Sequence, residues 1–190
     1  MEFIRTNIPE VVLCKPTVFK DDRGYFYEVF KKEIFEKFIG YKVDFCQDNE
    51  AKSSKGVLRG MHYQLPPFAQ SKLVRVIKGK VIDVVVDIRK KSKTFGEKVI
   101  IELSEENKYQ LFVPKGFAHG YLTLSNDTIF SYKVDAYYNK EAERGILYND
   151  KELAIDWGFP EDKLIISEKD KIQKPFNKAD LFEPTFKVYD

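Results

Sequence analysis

The chain has 190 residues, of which 43% are hydrophobic and 33% are charged, a balance typical of a folded globular protein and not of a disordered one. Its 32 basic and 30 acidic residues leave a formal net charge of +2, which argues against a nucleic-acid-binding protein. No apolar run is long enough to cross a bilayer, and the first residues do not resemble a signal peptide. Because two cysteines are too few for a disulfide framework, we expect a cytoplasmic protein with no membrane partner.

The first forty residues alternate short apolar runs with turns and then change period. The segment Asp-Asp-Arg-Gly at 21–24 is typical of a hairpin turn in which glycine adopts a positive φ. Apolar residues within 31–39 then recur at helical spacing, and Gly40 follows the last of them. This pattern predicts a short N-terminal helix that ends at the glycine.

From residue 56 onward the pattern is one of short strands separated by turns. Strands are predicted over 73–77, 81–88, 98–103, 109–113, 118–124 and 128–134. The chain has 16 Phe and 11 Tyr, and aromatic residues favour half-buried sheets. Pro160, Pro175 and Pro184 limit helix length in the remainder. The sequence therefore predicts a mainly all-β sandwich or barrel, one domain over 1–190, with a less regular C-terminal extension.

Residues 56–77 contain three side chains that can bind an anion or move a proton: Arg59, His62 and Lys72. Strict alternation along a strand places Arg59 and His62 on opposite faces. A bulge at Gly60 brings both to one face, and glycine inside a strand often marks a bulge. A shared site therefore requires an irregular backbone at this glycine.

Lys72 begins a strand whose alternate positions are Val74 and Val76. If that face is internal, the lysine places a charge inside the barrel, which is rare without a partner or a chemical task. The alternative is a lysine at the barrel mouth whose amine reaches water. The pattern alone leaves both interpretations open.

His119 follows a Pro-Lys-Gly-Phe-Ala segment at 114–118, which resembles the second motif of cupin barrels. Metal-binding cupins use three histidines and a glutamate, whereas this chain has only two histidines. The count excludes a three-histidine site, and no cysteines or carboxylates at ligand spacing compensate. If the fold is a cupin barrel, we expect it to bind no metal.

Other polar residues have an ordinary structural explanation beside a functional one. Tyr132 shares a face with core residues, so a buried tyrosine with a bonded hydroxyl is the plain interpretation. Tyr138 can stack on a base or simply pack at a loop. Gln47 and Asn49 suit hydrogen bonding and equally suit a strand end. Asp170 looks like part of a solvated charge run, and nothing local links it to a histidine.

Taken together, these segments resemble the dTDP-4-dehydrorhamnose 3,5-epimerase family of deoxysugar biosynthesis. The matching segments follow the family's order along the chain at 22–30, 47–49, 56–64, 72–76, 113–120, 132–133, 143–146, 156–157 and 167–170. The resemblance implies a cupin-like jelly-roll barrel of the metal-free type. It also implies a homodimer in which the N-terminal strands of each subunit complete the site of the other.

The resemblance further implies roles for individual residues. By position, His62 matches the general base and Asp170 the carboxylate that orients it. Tyr132 matches the acid on the opposite face of the sugar ring, and Lys72 the group beside the keto oxygen. Tyr138 matches the residue that stacks on thymine. The other positions that match substrate-binding residues are Arg23, Phe26, Glu28, Gln47, Asn49, Arg59, His119, Glu143 and Lys169.

The implied reaction is the conversion of dTDP-4-dehydro-6-deoxy-D-glucose to dTDP-4-dehydro-L-rhamnose by epimerisation at carbons 3 and 5. A carbon beside a ketone loses its proton readily only if the enolate is stabilised, which a lysine can do. A histidine with a carboxylate partner suits the base, and a tyrosine hydroxyl can return the proton. We expect no cofactor, because the reaction involves neither a redox change nor a metal-activated water. Two alternatives remain: a mono-epimerase of another deoxysugar nucleotide, and a barrel that only binds sugar nucleotides.

Overall fold

The computed structural model describes residues 1–183 and 186. Over this part of the chain, the helices are α1 Lys32–Ile39 and α2 Glu168–Lys171, with single 3₁₀ turns at Glu161–Lys163 and Phe176–Lys178. The strands are β1 Glu2–Arg5, β2 Val12–Lys15, β3 Phe19–Asp21, β4 Gly24–Phe26, β5 Gln47–Ser53, β6 Val57–Gln64, β7 Lys72–Lys78, β8 Lys80–Asp87, β9 Lys98–Ser104, β10 Gln110–Val113, β11 Phe117–Thr123, β12 Thr128–Val134, β13 Glu143–Gly145 and β14 Ile165–Ile166. Within the described residues, no helix is long and apolar enough to span a bilayer.

Most strands belong to two antiparallel sheets. The first sheet has the order β1-β2-β10-β7-β12-β5, and the second has the order β13-β6-β11-β8-β9, with β14 added parallel to β6. Strands adjacent in either sheet are often distant in sequence, which is the crossed connectivity of a jelly roll. The predicted mainly all-β, cupin-like jelly-roll barrel is confirmed.

The two sheets face each other across a common core. Val74 and Val76 of the first sheet pack in one buried cluster with Val85 and Phe117 of the second. Side chains alternate along a strand, so the residues two positions from these also point inward. This alternation directs Lys72, at the start of β7, towards the interior, which is one of the two positions that the sequence pattern left open.

Helix α1 covers the outer face of the first sheet. It buries Phe35 and Ile39, and Phe35 meets Phe112 of β10 edge to face at a centroid distance of 5.0 Å. Gly40 ends the helix in the left-handed conformation with φ of 92°, and its N–H donates to the carbonyl of Glu36. The predicted N-terminal helix and its glycine cap are confirmed.

The C-terminal extension covers the outer face of the second sheet. Trp157, Phe176 and Phe182 are each buried there against side chains from β6 and β8, including Tyr63 and Val84. Few residues of the extension lie in strands or helices, as the prolines indicated. The extension is nevertheless an integral layer of the core, because its aromatic side chains exclude water from that sheet face.

Strand β6 has the irregular backbone that the spacing of Arg59 and His62 required. Its pairing with β11 aligns His62 with His119 and Arg59 with Tyr121. Three steps along β6 therefore match two steps along β11, which is the register shift of a bulge centred at Gly60.

The bulge sorts the side chains of β6 between two environments. Leu58 and Met61 belong to the outer core beneath the C-terminal extension. Arg59 and His62 line a cavity between the sheets, to whose wall Leu58 also contributes. The expectation that a bulge brings these two polar residues to one face is confirmed.

Strands β3 and β4 form a separate two-stranded hairpin. Asp21 pairs with Gly24 at its tip, as the turn signal predicted, and Phe19 pairs with Phe26 at its base. Every residue of the two strands is exposed, and the two phenylalanines retain 62% and 68% of their accessible surface. The hairpin thus leaves an apolar pair uncovered in the single chain.

We expect Gly60→Ala to lower the free energy of unfolding by about 3 kcal/mol, since the site combines an unfavourable backbone conformation with a clash. Gly60 has a φ of 145°, and an added Cβ would lie 2.5 Å from the Cα of Gly120 on the neighbouring strand. Urea unfolding at neutral pH measures the change.

Gly24→Ala is the matched control. Its φ of 133° is similar, but an added Cβ meets no described atom within 4 Å. Only the backbone cost of about 1 kcal/mol applies there. An equal loss of stability in both variants would show that the close approach of β6 and β11 does not require glycine.

Candidate active site

A cavity of about 520 Å³ lies between the two sheets. Strands β6, β7, β11 and β12 contribute to its wall, and the segment around α2 closes one side. It brings together seven of the residues that the sequence nominated: Arg59, His62, Lys72, His119, Tyr132, Lys169 and Asp170. Residues far apart in the chain therefore meet in one space.

His62 and Asp170 form a hydrogen-bonded pair at the edge of this cavity. The Nε2 atom of His62 lies 2.6 Å from Oδ1 of Asp170. The aspartate side chain is 4% exposed, whereas the imidazole is 29% exposed and reaches the cavity. The interpretation of Asp170 as part of a solvated charge run is wrong, because tertiary packing buries this one member of the run.

Local structure delivers Asp170 to the histidine. Strand β14 runs parallel to β6 with Ile166 beside Leu58, so the following residues pass along the cavity edge. Ser167 then caps the one-turn helix α2, its Oγ accepting the N–H of Asp170 at 3.1 Å. This cap turns the aspartate inward while its neighbours in the run stay in solvent.

The charge on Asp170 is held in place by its surroundings. Burial acts to raise the pKa of its carboxyl group, but hydrogen bonds from His62, Ser167 and the Gly60 amide outweigh burial, so the pKa lies below its ordinary value. A carboxylate that stays ionised fixes the orientation of the imidazole.

Lys72 is the first residue of β7 and lines the same cavity. Burial lowers the pKa of its amine to about 8, partly opposed by the negative charges of Asp83 and Glu143. Of the two interpretations that the pattern left open, the cavity-facing charge is the one the structure shows. An amine so placed is cationic at neutral pH and close to losing its proton.

Tyr132 lies on β12 between β7 and β5, opposite Val74 and Asn49. Its side chain lines the cavity instead of being sealed in the core. Burial raises the pKa of the phenol, and the positive charge of Arg59 only partly offsets this. The hydroxyl therefore keeps its proton at neutral pH and is available as a donor.

Asp83 is a site-proximal residue that the sequence reasoning missed. Both of its carboxylate oxygens lie 3.0 Å from Nε2 of His119, and its side chain is fully buried. The available signal was a single acidic residue at an inward position of the apolar run 81–86. Against the larger effect of burial, the negative charge of Asp83 acts on Lys72 to raise the pKa of its amine.

Tyr138, Glu143 and Lys169 form a second polar cluster at the cavity mouth. The hydroxyl of Tyr138 donates to Oε2 of Glu143 at 2.9 Å, and Nζ of Lys169 lies 2.5 Å from the same oxygen. Burial acts to raise the pKa of Glu143, but these two partners lower it overall. The ring of Tyr138 remains 59% exposed and free to receive a flat ligand.

Gln47 and Asn49 lie on the edge strand β5, further from the cavity. The Nε2 of Gln47 donates to Oδ1 of Asn49 at 2.7 Å, so the two side chains share one face. Ala51, two positions on, lines the cavity. By alternation the amide pair continues the same face towards the sheet edge.

Arg23, Phe26 and Glu28 do not reach this cavity in their own chain. Arg23 pairs with Asp21 at 2.6 Å in the exposed hairpin, where its side chain is 90% exposed. Phe26 is likewise exposed. The structure therefore places these three of the ten nominated binding residues away from the cavity of their own chain.

Among the described residues, no group of three or more His, Cys, Asp and Glu side chains is placed to hold a metal ion. The cavity instead presents a His–Asp pair, a tyrosine of raised pKa and a lysine. This fold and this site define a cupin-like jelly-roll protein equipped for acid–base chemistry.

Comparison with known proteins gives the family within that class. The family model of dTDP-4-dehydrorhamnose 3,5-epimerase matches residues 5–178. The chain therefore belongs to the dTDP-4-dehydrorhamnose 3,5-epimerase family, a family of isomerases. The predicted family and enzyme class are confirmed.

Individual relatives align over nearly the whole chain. The dTDP-4-dehydrorhamnose 3,5-epimerase of Shigella flexneri is 52% identical over 182 residues, covering 96% of this chain and 99% of that protein. The crystal structure of the enzyme from Elizabethkingia anophelis NUHP1 has 48% identity and a TM-score of 0.90, covering 93% of this chain and 97% of that chain. The dTDP-6-deoxy-D-glucose-3,5-epimerase of Legionella pneumophila Philadelphia 1, in complex with dTDP-4-keto-L-rhamnose, has 45% identity and a TM-score of 0.91, covering 96% and 97%.

Proposed function

We propose that this chain converts dTDP-4-dehydro-6-deoxy-D-glucose to dTDP-4-dehydro-L-rhamnose by epimerisation at carbons 3 and 5. The observation that carries the proposal is the 2.6 Å hydrogen bond between His62 and the buried Asp170, in a cavity that Lys72 and Tyr132 also line. Family membership supports the substrate, and the geometry of the cavity supports the chemistry.

In this proposal His62 removes a proton from a carbon beside the C4 ketone. The electron pair of the broken C–H bond moves to the keto oxygen and forms an enolate, which the cationic amine of Lys72 stabilises. The ionised carboxylate of Asp170 stabilises the imidazolium that results. His62 therefore accepts the proton, Asp170 balances the positive charge of the imidazolium, and Lys72 balances the negative charge of the enolate.

Inversion requires that a proton return to the opposite face of the carbon. We assign this step to Tyr132, whose raised pKa keeps the phenol protonated until the enolate carbon accepts the proton. The enolates formed at carbon 3 and at carbon 5 both place their negative charge on the C4 oxygen, so the same three groups serve both carbons. No electrons enter or leave overall.

The nucleotide is held, in this proposal, by residues around the cavity mouth. Arg59 and Lys169 are cations that suit the diphosphate. The exposed ring of Tyr138 suits stacking on thymine, with its hydroxyl anchored by Glu143. Gln47, Asn49 and His119 are the remaining residues of the chain's own barrel that we assign to substrate binding.

We further propose that the protein is a homodimer in which the β3–β4 hairpin enters the partner's site. The hairpin carries Arg23 and Phe26, with Glu28 just beyond it, and these binding residues do not reach the cavity of their own chain. Its exposed Phe19–Phe26 pair needs a covering surface, which a second copy supplies. The same chain's site is then incomplete without its partner.

A cytoplasmic location is also proposed. The structure supports it through two free thiols, of which Cys14 is buried and Cys46 is exposed. An exposed free thiol is compatible with a reducing compartment.

Wild-type protein in heavy water should introduce deuterium at both carbon 3 and carbon 5 of the dTDP-keto sugar and yield inverted product. Tyr132→Phe should still exchange deuterium, because His62 is intact. It should form inverted product at least about 10²-fold more slowly than the wild type. Proton NMR follows exchange and inversion in one sample. Label at a single carbon would support a mono-epimerase, and equal loss of exchange and inversion would contradict the role of Tyr132.

The pH dependence of turnover should report on Lys72. The amine is cationic below its pKa and neutral above it, so kcat/KM should fall as the pH rises through about 8. Lys72→Arg should lack this fall, because a guanidinium stays charged throughout. Lys72→Met should lose about 10²- to 10³-fold below pH 8 and a smaller factor above it, where the wild-type amine is itself neutral.

Lys80→Met is the control for charge removal, since Lys80 pairs with Glu102 on the surface at 3.2 Å. Its kcat/KM and pH profile should match those of the wild type. A fall in activity near the same pH in Lys72→Arg would assign that titration to another group.

The proposed exchange of hairpins predicts complementation between two inactive variants. His62→Ala lacks the base but keeps its hairpin, whereas Arg23→Ala keeps the base but weakens the hairpin contact. The two variants are unfolded together and refolded, so that half of the dimers contain one subunit of each. Each mixed dimer has one complete site out of two, so about a quarter of wild-type activity should return. A mixture no more active than its components would contradict a site shared between subunits.

A further inference from the structure

Gln64 is a buried polar residue near the active site to which no role has been assigned so far. It lies on β6 two residues after His62 and is 4% exposed. Its Nε2 donates to the carbonyl oxygens of Phe68 at 2.7 Å and Tyr137 at 3.2 Å. Its Oε1 accepts the backbone N–H of Asn139 at 2.7 Å. Both ends of one amide are therefore engaged with backbone groups of two loops.

The second of these loops carries the exposed aromatic residues of the site. We define residues 135–139 as the aromatic loop, which contains Tyr137 and Tyr138 at 66% and 59% exposure. Gln64 bonds to the residues on both sides of Tyr138. The hydroxyl of Tyr138 reaches Glu143, which is itself paired with Gln64 across β13 and β6.

Other contacts hold both ends of the aromatic loop. At its end, the carbonyl of Asn139 accepts the amides of Ala142 at 3.2 Å and Glu143 at 3.1 Å. The Nε2 of Gln70 donates to the carbonyl of Ala136 at 2.6 Å, and the Ser71 amide donates to Oδ1 of Asp135 at 2.6 Å. The carbonyl of Tyr137 and the N–H of Asn139, one on each side of Tyr138, are both bonded to Gln64. The backbone on both sides of this tyrosine is thus hydrogen-bonded to β6, the strand that carries the proposed general base His62.

We infer that Gln64 is a positioning residue that presents the ring of Tyr138 to the nucleotide. It thereby links the stacking contact between Tyr138 and thymine to the strand that carries His62. The inference rests on the proposed function, in which Tyr138 stacks on thymine. Gln64 does not line the cavity. It acts through the backbone of the aromatic loop.

The chemistry of the position requires an amide. One side chain must donate twice and accept once within a buried space, and glutamine does so without carrying charge. A glutamate keeps an oxygen that can accept the N–H of Asn139, but it has no N–H to donate to the carbonyl oxygens of Phe68 and Tyr137. A methionine fills the same length but leaves three backbone groups without partners. Both changes should free the residues that flank Tyr138.

The test compares Gln64→Glu and Gln64→Met with the wild type. Both variants should bind dTDP about tenfold more weakly by calorimetry and show a similar rise in KM for the dTDP-keto sugar. Their kcat at saturating substrate should stay within about twofold, since His62, Lys72 and Tyr132 are unchanged. A role confined to folding would not separate KM from kcat in this way.

Asn107→Asp is the matched control. Asn107 also uses both ends of its amide on backbone groups: Oδ1 accepts the amides of Ser104 and Tyr109, and Nδ2 donates to the carbonyl of Glu102 at 3.0 Å. The change removes the same donor from a loop outside the cavity. It should lower stability without altering dTDP affinity or KM.

A double-mutant cycle with Tyr138→Ala identifies the route of the effect. If Gln64 acts through Tyr138, adding Gln64→Met to Tyr138→Ala should weaken dTDP binding by less than about twofold further. Additive losses in the double variant, or an equal loss of kcat and gain in KM, would overturn the inference. If wild-type protein neither binds dTDP nor exchanges deuterium, the proposed function itself fails, which is a separate outcome.

Discussion

The hydrogen bond between His62 and Asp170 depends on more of the structure than any other contact in the site. It requires the bulge at Gly60, which turns His62 inward, and the parallel pairing of β14 with β6, which brings Asp170 to the same edge. It also requires the Ser167 cap, which rotates the aspartate out of solvent. Barrel, bulge and C-terminal extension therefore converge on one 2.6 Å contact.

The charges around the cavity are arranged so that each proposed step meets a group of the right sign. Asp170 stays ionised although it is buried, because it accepts several hydrogen bonds. Lys72 stays cationic at neutral pH although burial weakens its hold on the proton. The phenol of Tyr132 stays neutral. This protonation pattern is therefore lost on the alkaline side, where Lys72 gives up its proton.

Much of this arrangement could be predicted from local patterns. The alternation of Val74 and Val76 gave an inner position for Lys72 as one of two interpretations, and Gly60 correctly marked the bulge. Hydrophobic periodicity and the glycine cap defined α1. These features depend on backbone geometry over a few residues, which is information that a sequence carries directly.

Other parts of the site could not be found in this way. Asp170 looked solvated because its burial comes from β14 pairing with a strand about 108 residues earlier in the chain. Asp83 was overlooked because its partner, His119, belongs to a neighbouring strand of the same sheet. Strand register between distant segments decides both contacts, and the resemblance to a known family was needed to anticipate the first.

The position of Asp170 so late in the chain also has a consequence for biosynthesis. Every strand of the first sheet, and β6, β8, β9 and β11 of the second, is complete by residue 134. The carboxylate that orients His62 follows 36 residues later, after β13 and β14. Most of the barrel strands are thus synthesised before the carboxylate of the proposed catalytic pair, and proteolytic loss of the extension would remove both that carboxylate and the layer that covers Tyr63 on the strand of His62.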